Sequence, residues 1–171
     1  MERLRFLHIP KTAGSTFTSI LERQYHGKGA FQFTGNYPED RKRFEALSAT
    51  EREQIVLFTG HAPVISGIKE ADTATIITFL RDPISRVKSV FQFVAEGRSP
   101  YLLQSFPPDS FDLDRFLNSG NRTRELSNLQ TKMLINREKC ASPELLDKLS
   151  ATEARDTALD NLFNKVTCFG L

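Results

Sequence analysis

The 171-residue chain contains no tryptophan, two cysteines and two methionines. Two cysteines, Cys140 and Cys168, are too few for a disulfide framework and read as free thiols, which fits a reducing, cytoplasmic setting. No His/Cys spacing matches a metal site, so no metal is expected. No stretch reaches the roughly 18 consecutive apolar residues of a membrane span, and the N-terminus lacks a charged segment followed by a long apolar run. Charge of one sign is also missing: 23 Lys and Arg against 21 Asp and Glu leave a formal net charge of +2. That is too mild to argue for a nucleic-acid partner, although it suits acidic ligands held locally. What is present is 39% hydrophobic residues, including 14 phenylalanines, enough for one domain with a real core at this length.

The strongest chemical signal is Phe6-Leu-His-Ile-Pro-Lys-Thr-Ala-Gly-Ser-Thr-Phe17. A short apolar strand runs into a polar turn and then an amphipathic helix. Such a turn aims backbone N–H groups, hydroxyls and one ammonium at a single point, which suits a phosphate or sulfate. Lys11 supplies charge, Ala13 and Gly14 supply backbone N–H groups, Gly14 allows close backbone approach, and Thr12, Ser15 and Thr16 supply donors. The pattern is not a Walker A loop, because the Lys precedes the Gly and Pro10 precedes the Lys.

A second segment repeats the logic. Ala74-Thr-Ile-Ile-Thr-Phe-Leu80 reads as a buried strand of a mostly parallel sheet. It leads into Arg81-Asp-Pro-Ile-Ser-Arg-Val-Lys-Ser89, where Asp82 suits an N-cap and Pro83 the first helical position. Val87, Val90, Phe91 and Val94 form one helical stripe, and Ser85 and Ser89 share a face. Arg81 and these serines form a second anion site. Two anion sites at two strand ends suggest a ligand phosphorylated at both ends.

Strands are expected at about Leu4–Ile9, Ile55–Thr59, Thr75–Leu80 and Val166–Phe169. Helices are expected over Ser15–Arg23, Pro38–Leu47 and Pro83 to Gly97, and near Phe111–Leu117 and Ser127–Ile135, with a further start at Ser142-Pro143. Ser48-Ala-Thr-Glu51 and Ser150-Ala-Thr-Glu153 are capping boxes. Tyr25–Tyr37, rich in glycine and aromatics, and Arg98–Asp109, with three prolines, are expected to be loops, the first facing the ligand. The alternation implies an α/β fold, a three-layer P-loop-like domain with a central, mostly parallel sheet flanked by helices and ligands at its carboxyl edge.

His8-Ile-Pro-Lys-Thr-Ala-Gly-Ser15 together with Leu80-Arg-Asp-Pro-Ile-Ser-Arg-Val-Lys-Ser89 resembles the carbohydrate sulfotransferases related to heparan sulfate and uronyl 2-O-sulfotransferases. The donor of that family is 3′-phosphoadenosine-5′-phosphosulfate (PAPS), and the product is 3′-phosphoadenosine-5′-phosphate (PAP). The resemblance implies that Lys11, Thr12, Ala13, Gly14, Ser15 and Thr16 hold the 5′ end, and Arg81 and Ser89 the 3′-phosphate. Phe58-Thr-Gly-His-Ala-Pro-Val64 resembles the family's Gly-His segment, which implies His61 as general base, with Lys11 stabilising the leaving phosphate and no metal required. Many bacterial relatives carry a second His where this chain has Gly67. Asn128-Leu-Gln-Thr-Lys-Met-Leu134 and Val166-Thr-Cys-Phe-Gly-Leu171 are similar to further family stretches. The implied protein is a bacterial-type member, one sulfotransferase-like domain over residues 1–171, shortened at its C-terminus.

The acceptor is expected to be a carbohydrate or small molecule with a free hydroxyl, contacted by His8, Asn128, Gln130 and Lys132; the oligomeric state is left open. Plainer roles stand beside these. His61 can be a structural histidine bonded to backbone, and His8 a core-edge residue. Asp82 reads as a cap before a catalyst, Arg86 as either a 3′-site charge or a surface pair, and Arg122 and Arg124 as a solvated basic patch. The competing functions are a P-loop-like nucleotide kinase or NTPase, and a non-catalytic nucleotide-binding domain.

Overall fold

The computed structural model describes residues 2–99, 112–118, 126–135 and 150–171. Most of the loop expected at Arg98–Asp109, the Ser142-Pro143 helix start, Arg122, Arg124 and Cys140 lie outside them. The chain forms two compact units, Met1–Leu80 with Gln130–Leu171, and Arg81–Leu129.

The first unit is built on five strands: β1 (Leu4–Leu7), β2 (Gly29–Phe33), β3 (Ile55–Gly60), β4 (Thr75–Phe79) and β5 (Val166–Gly170). They lie in the order β2-β3-β1-β4-β5, and every pairing is parallel. This is the expected α/β fold with a parallel sheet flanked by helices. Leu7 is level with Gly60 on one side and Thr78 on the other, so β1, β3 and β4 end at the same edge. From β1 the chain leaves toward β2, and from β4 toward β5, on opposite sides. Such a divergence between adjacent strands opens a ligand crevice at their carboxyl ends.

Side chains alternate across the strands, so the two faces carry different cores. Phe6, Leu57 and Ile77 pack with Phe17 and Leu21 of helix α1 (Gly14–Gln24). On the other face Phe31, Phe33 and Phe58 pack with Phe44 of α2 (Tyr37–Glu45) and Ala71 of α4 (Lys69–Asp72). Each fully buried phenylalanine stabilises by about 1.5–3 kcal/mol. α3 (Ala49–Gln54) starts at a complete Ser48–Glu51 capping box.

β2 lies where a loop was expected. Phe31 and Phe33 point inward while Ala30 and Gln32 are exposed, a period of two hidden by the glycines around it. Gly29 is needed there, because a Cβ would stand 2.4 Å from the Gln54 carbonyl oxygen.

In the second unit Asp82 caps α5 (Pro83–Ala95), and Gly97, at φ +71°, follows its end. Val90 and Val94 pack on Phe116 of α6 (Leu113–Leu117). Arg86 is buried at 2% exposure, which corrects the reading of it as a surface pair. α7 (Leu129–Met133) leads back to the first unit. There α8 (Ala151–Asn164) begins at the second capping box, Ser150–Glu153, and Asn161 donates to the Leu134 carbonyl at 2.8 Å.

Candidate active site

β1 ends at Leu7, and the next residues form a tight turn at the sheet's carboxyl edge. His8 N–H donates to the Gly60 carbonyl, and the Thr12 hydroxyl donates to the Ile9 carbonyl at 2.8 Å. Thr12 is therefore buried with its hydroxyl proton engaged, and what it offers an anion is its backbone N–H. Lys11 and Ala13 both have φ +67°, left-handed conformations that cost non-glycine residues about 1–2 kcal/mol each. They turn the chain so that α1 starts at Gly14. Ala13 provides no side-chain cap, and the first turn holds no acidic residue. The N–H groups of that turn have no intrahelical partner and carry the positive end of the helix dipole. Ser15 and Thr16 are exposed beside them.

His8 packs its ring on Phe6, with centroids 5.5 Å apart, and on the backbone of Gly14. A Cβ at Gly14 would stand 1.9 Å from His8 Cδ2. The close approach that this glycine permits is thus to an imidazole of the protein itself. The His61 ring lies 4.6 Å from that of His8, and His61 Nδ1 is 2.8 Å from the His8 carbonyl oxygen. A carbonyl can only accept, so Nδ1 carries the proton and the neutral ring keeps its lone pair on Nε2. Burial, helped by the neighbouring His61, lowers the His8 pKa from 6.5 to about 4, so His8 is neutral at pH 7.

The backbone of His61 is equally constrained. Gly60 has φ +106°, and a Cβ there would stand 2.1 Å from the Phe33 carbonyl oxygen. His61 N–H donates to that same carbonyl at 3.2 Å.

The second anion motif belongs to the other unit. The Asp82 carboxylate accepts from Ser85 N–H at 2.8 Å, a bond that holds its carboxyl below the usual range. Asp82 is a cap, as expected, and it fills the N-terminus of α5. A carboxylate thus already occupies that helix terminus; Arg81 is exposed and Ser89 half-buried.

A model of the sulfotransferase family matches residues 2–148. The chain belongs to the sulfotransferase family. No curated protein and no solved structure matches it. Its reaction class is sulfuryl transfer to a hydroxyl-bearing acceptor. Among the described residues of this sulfotransferase no group of His, Cys, Asp and Glu is placed to hold a metal ion, and no helix is long and apolar enough to cross a membrane.

The structure brings Lys11 to Thr16, His8 and His61 together in one unit. Of the acceptor-side candidates, Gln130 and Lys132 belong to that unit, whereas Asn128, exposed at φ +52°, belongs to the other with Arg81 and Ser89. Met133, Leu134 and Ile135 are buried, and the Met133 carbonyl accepts from Val64 N–H at 2.7 Å. The end of this polar motif is thus an anchor for the segment after His61.

Sequence reasoning missed the residues that tie down the loops after β2 and β3. Arg5, 1% exposed, donates from Nη1 to the Val64 carbonyl at 2.9 Å and to Asp72 Oδ1 at 2.8 Å, and from Nη2 to the Ala62 and Pro63 carbonyls. Burial lowers its pKa to about 10, against the pull of Asp72, and it remains charged at neutral pH. Asp72 also accepts from Ser66 N–H, Ser66 Oγ and Gly67 N–H. Asp40 accepts the same three kinds of bond from Thr34 and Gly35 and pairs with Arg43. Thr34-Gly-x4-Asp40 and Ser66-Gly-x4-Asp72 are therefore one device used twice, on the loops after β2 and β3. Gly67 is its turn glycine, at φ +78°. The signal was legible: a Ser/Thr-Gly pair followed at fixed spacing by Asp, and an arginine inside an apolar strand.

Proposed function

We propose that this chain transfers the sulfuryl group of PAPS to a hydroxyl of a carbohydrate or small-molecule acceptor, as a relative of the heparan sulfate and uronyl 2-O-sulfotransferases. The observation that carries the reading is the chain of contacts from Gly14 to His8 to His61, in which the His8 ring stands between an uncapped helix N-terminus and an imidazole with its lone pair on Nε2. The acceptor oxygen attacks sulfur and gives its proton to His61 Nε2. The bond from sulfur to the bridging oxygen breaks, and the electron pair leaves on the 5′-phosphate of PAP. Charge developing on that oxygen is stabilised by Lys11 and by the N–H groups from Ala13 to Thr16. Arg81 and Ser89 take the 3′-phosphate; His8, Gln130, Lys132 and Asn128 stand on the acceptor side. The exposed free thiol of Cys168 fits a reducing cytoplasm.

The test is the melting-temperature shift with PAP, with and without Mg²⁺, on the wild type and on Lys11→Ala. A metal-independent shift that Lys11→Ala abolishes supports the reading. A shift with Mg²⁺-ATP and none with PAP overturns it in favour of a kinase or NTPase. A PAP shift without any PAPS turnover overturns the catalytic part.

A further inference from the structure

We propose that Arg5 is a positioning residue for His61, its guanidinium gripping the turn after the imidazole so that the aim of Nε2 depends on the shape of the arginine fork. The inference rests on the reading of His61 as the base.

A buried guanidinium is costly unless its donors are matched by acceptors of good geometry. Arg5 meets that condition in an unusual way. Besides Asp72 it engages Ala62, Pro63 and Val64, three consecutive carbonyls directly after His61. A pairing with Asp72 alone would neutralise the charge; the three further acceptors hold one turn of backbone. The guanidinium also lies over the Phe33 ring, 5.5 Å from its centroid, and the Phe33 carbonyl accepts from His61 N–H. The same arginine therefore packs on β2 and holds the chain after His61, while β2 holds His61 itself. With the backbone fixed on both sides, the Nδ1–H bond to the His8 carbonyl leaves Nε2 one direction to point. A lysine would keep the charge, but its single ammonium cannot span three carbonyls and a carboxylate in a plane.

The experiment uses Arg5→Lys in the full chain, with Ser150→Ala as a control that loosens a helix cap elsewhere. Three quantities are read: PAP affinity, hydrolysis of PAPS to PAP and sulfate, and the ¹⁵N signals of the His61 ring. Arg5→Lys is expected to keep PAP affinity, lose about 100-fold in turnover, the scale of a misplaced catalytic group, and replace the single Nδ1–H tautomer by a mixture. Ser150→Ala is expected to lower the melting temperature and leave the tautomer intact. If Arg5→Lys retains the single tautomer and wild-type turnover, the proposal is overturned. It is equally overturned if Ser150→Ala disturbs His61 as much.

If Arg5→Lys does not fold, hydrogen exchange on the unmodified chain decides. The Arg5 guanidinium protons and His61 Nδ1–H should exchange through one common opening. Exchange of His61 Nδ1–H while Arg5 stays protected would sink the idea. A wild-type chain without PAPS turnover refutes the sulfuryl-transfer reading, while the tautomer and exchange results still decide the role of Arg5.

Discussion

Gly14 and Gly60 set the positions of the imidazoles of His8 and His61 by having no side chain. Gly14→Ala drives a Cβ into the His8 ring, which has to move; the expected cost is about 1–3 kcal/mol, as for other overpacked sites. Because the His61 ring touches that of His8, turnover should fall more than PAP affinity, which calorimetry and PAPS hydrolysis would separate. A variant with unchanged turnover would mean that His8 moves without disturbing His61. At His61 itself, Asn in place of the imidazole keeps a side-chain donor for the His8 carbonyl and removes the base. PAPS turnover should drop by about 10²–10⁴, the usual worth of a positioned base, with PAP binding retained. Equal loss of binding would make the histidine structural.

At the scale of elements, the capping boxes and the helix termini carry separable consequences. Ser48→Ala and Ser150→Ala each remove an N-cap acceptor and should cost about 1 kcal/mol in urea unfolding, without changing PAP affinity. α1 differs from α3, α5 and α8 in having no side-chain cap, although it begins at the candidate donor loop. An Ala13→Asp change would place a carboxylate where we propose the 5′-phosphate binds. The expected outcome is loss of the PAP shift, because the carboxylate competes for the positive end of the helix dipole. A variant that binds PAP as well as the wild type would show that the helix terminus is not the anion site.

For the whole molecule, the half-buried neutral His8 links stability to pH. Its pKa is about 4 folded and near the ordinary 6.5 unfolded, so between these values the unfolded chain binds the extra proton. The His8 contribution is therefore fully present above pH 6.5, declines as pH falls through the window, and is gone below about 4. Urea unfolding at a series of pH values should show that slope, and His8→Gln should flatten it. An unchanged slope in His8→Gln would assign the pH dependence to other groups.

The apolar runs at Leu4–Leu7, Ile55–Gly60 and Thr75–Phe79, the capping boxes and the Lys11–Thr16 turn were readable because each depends on neighbours within a few residues. Strand alternation with helices was enough for the parallel α/β fold, and Gly60-His61 could be singled out by motif. Strand order is different in kind. It places His8 beside His61, 53 positions away, and no local pattern encodes which strands become neighbours. The same holds for Arg5. By itself it is a cation in a strand, and only the return of β3 alongside β1 supplies the carbonyls that make its burial tolerable. Local hydrogen bonds and side-chain periodicity wrote the elements into the sequence. Which imidazole nitrogen is left to accept a proton was decided by a backbone carbonyl that only the folded sheet brings within reach.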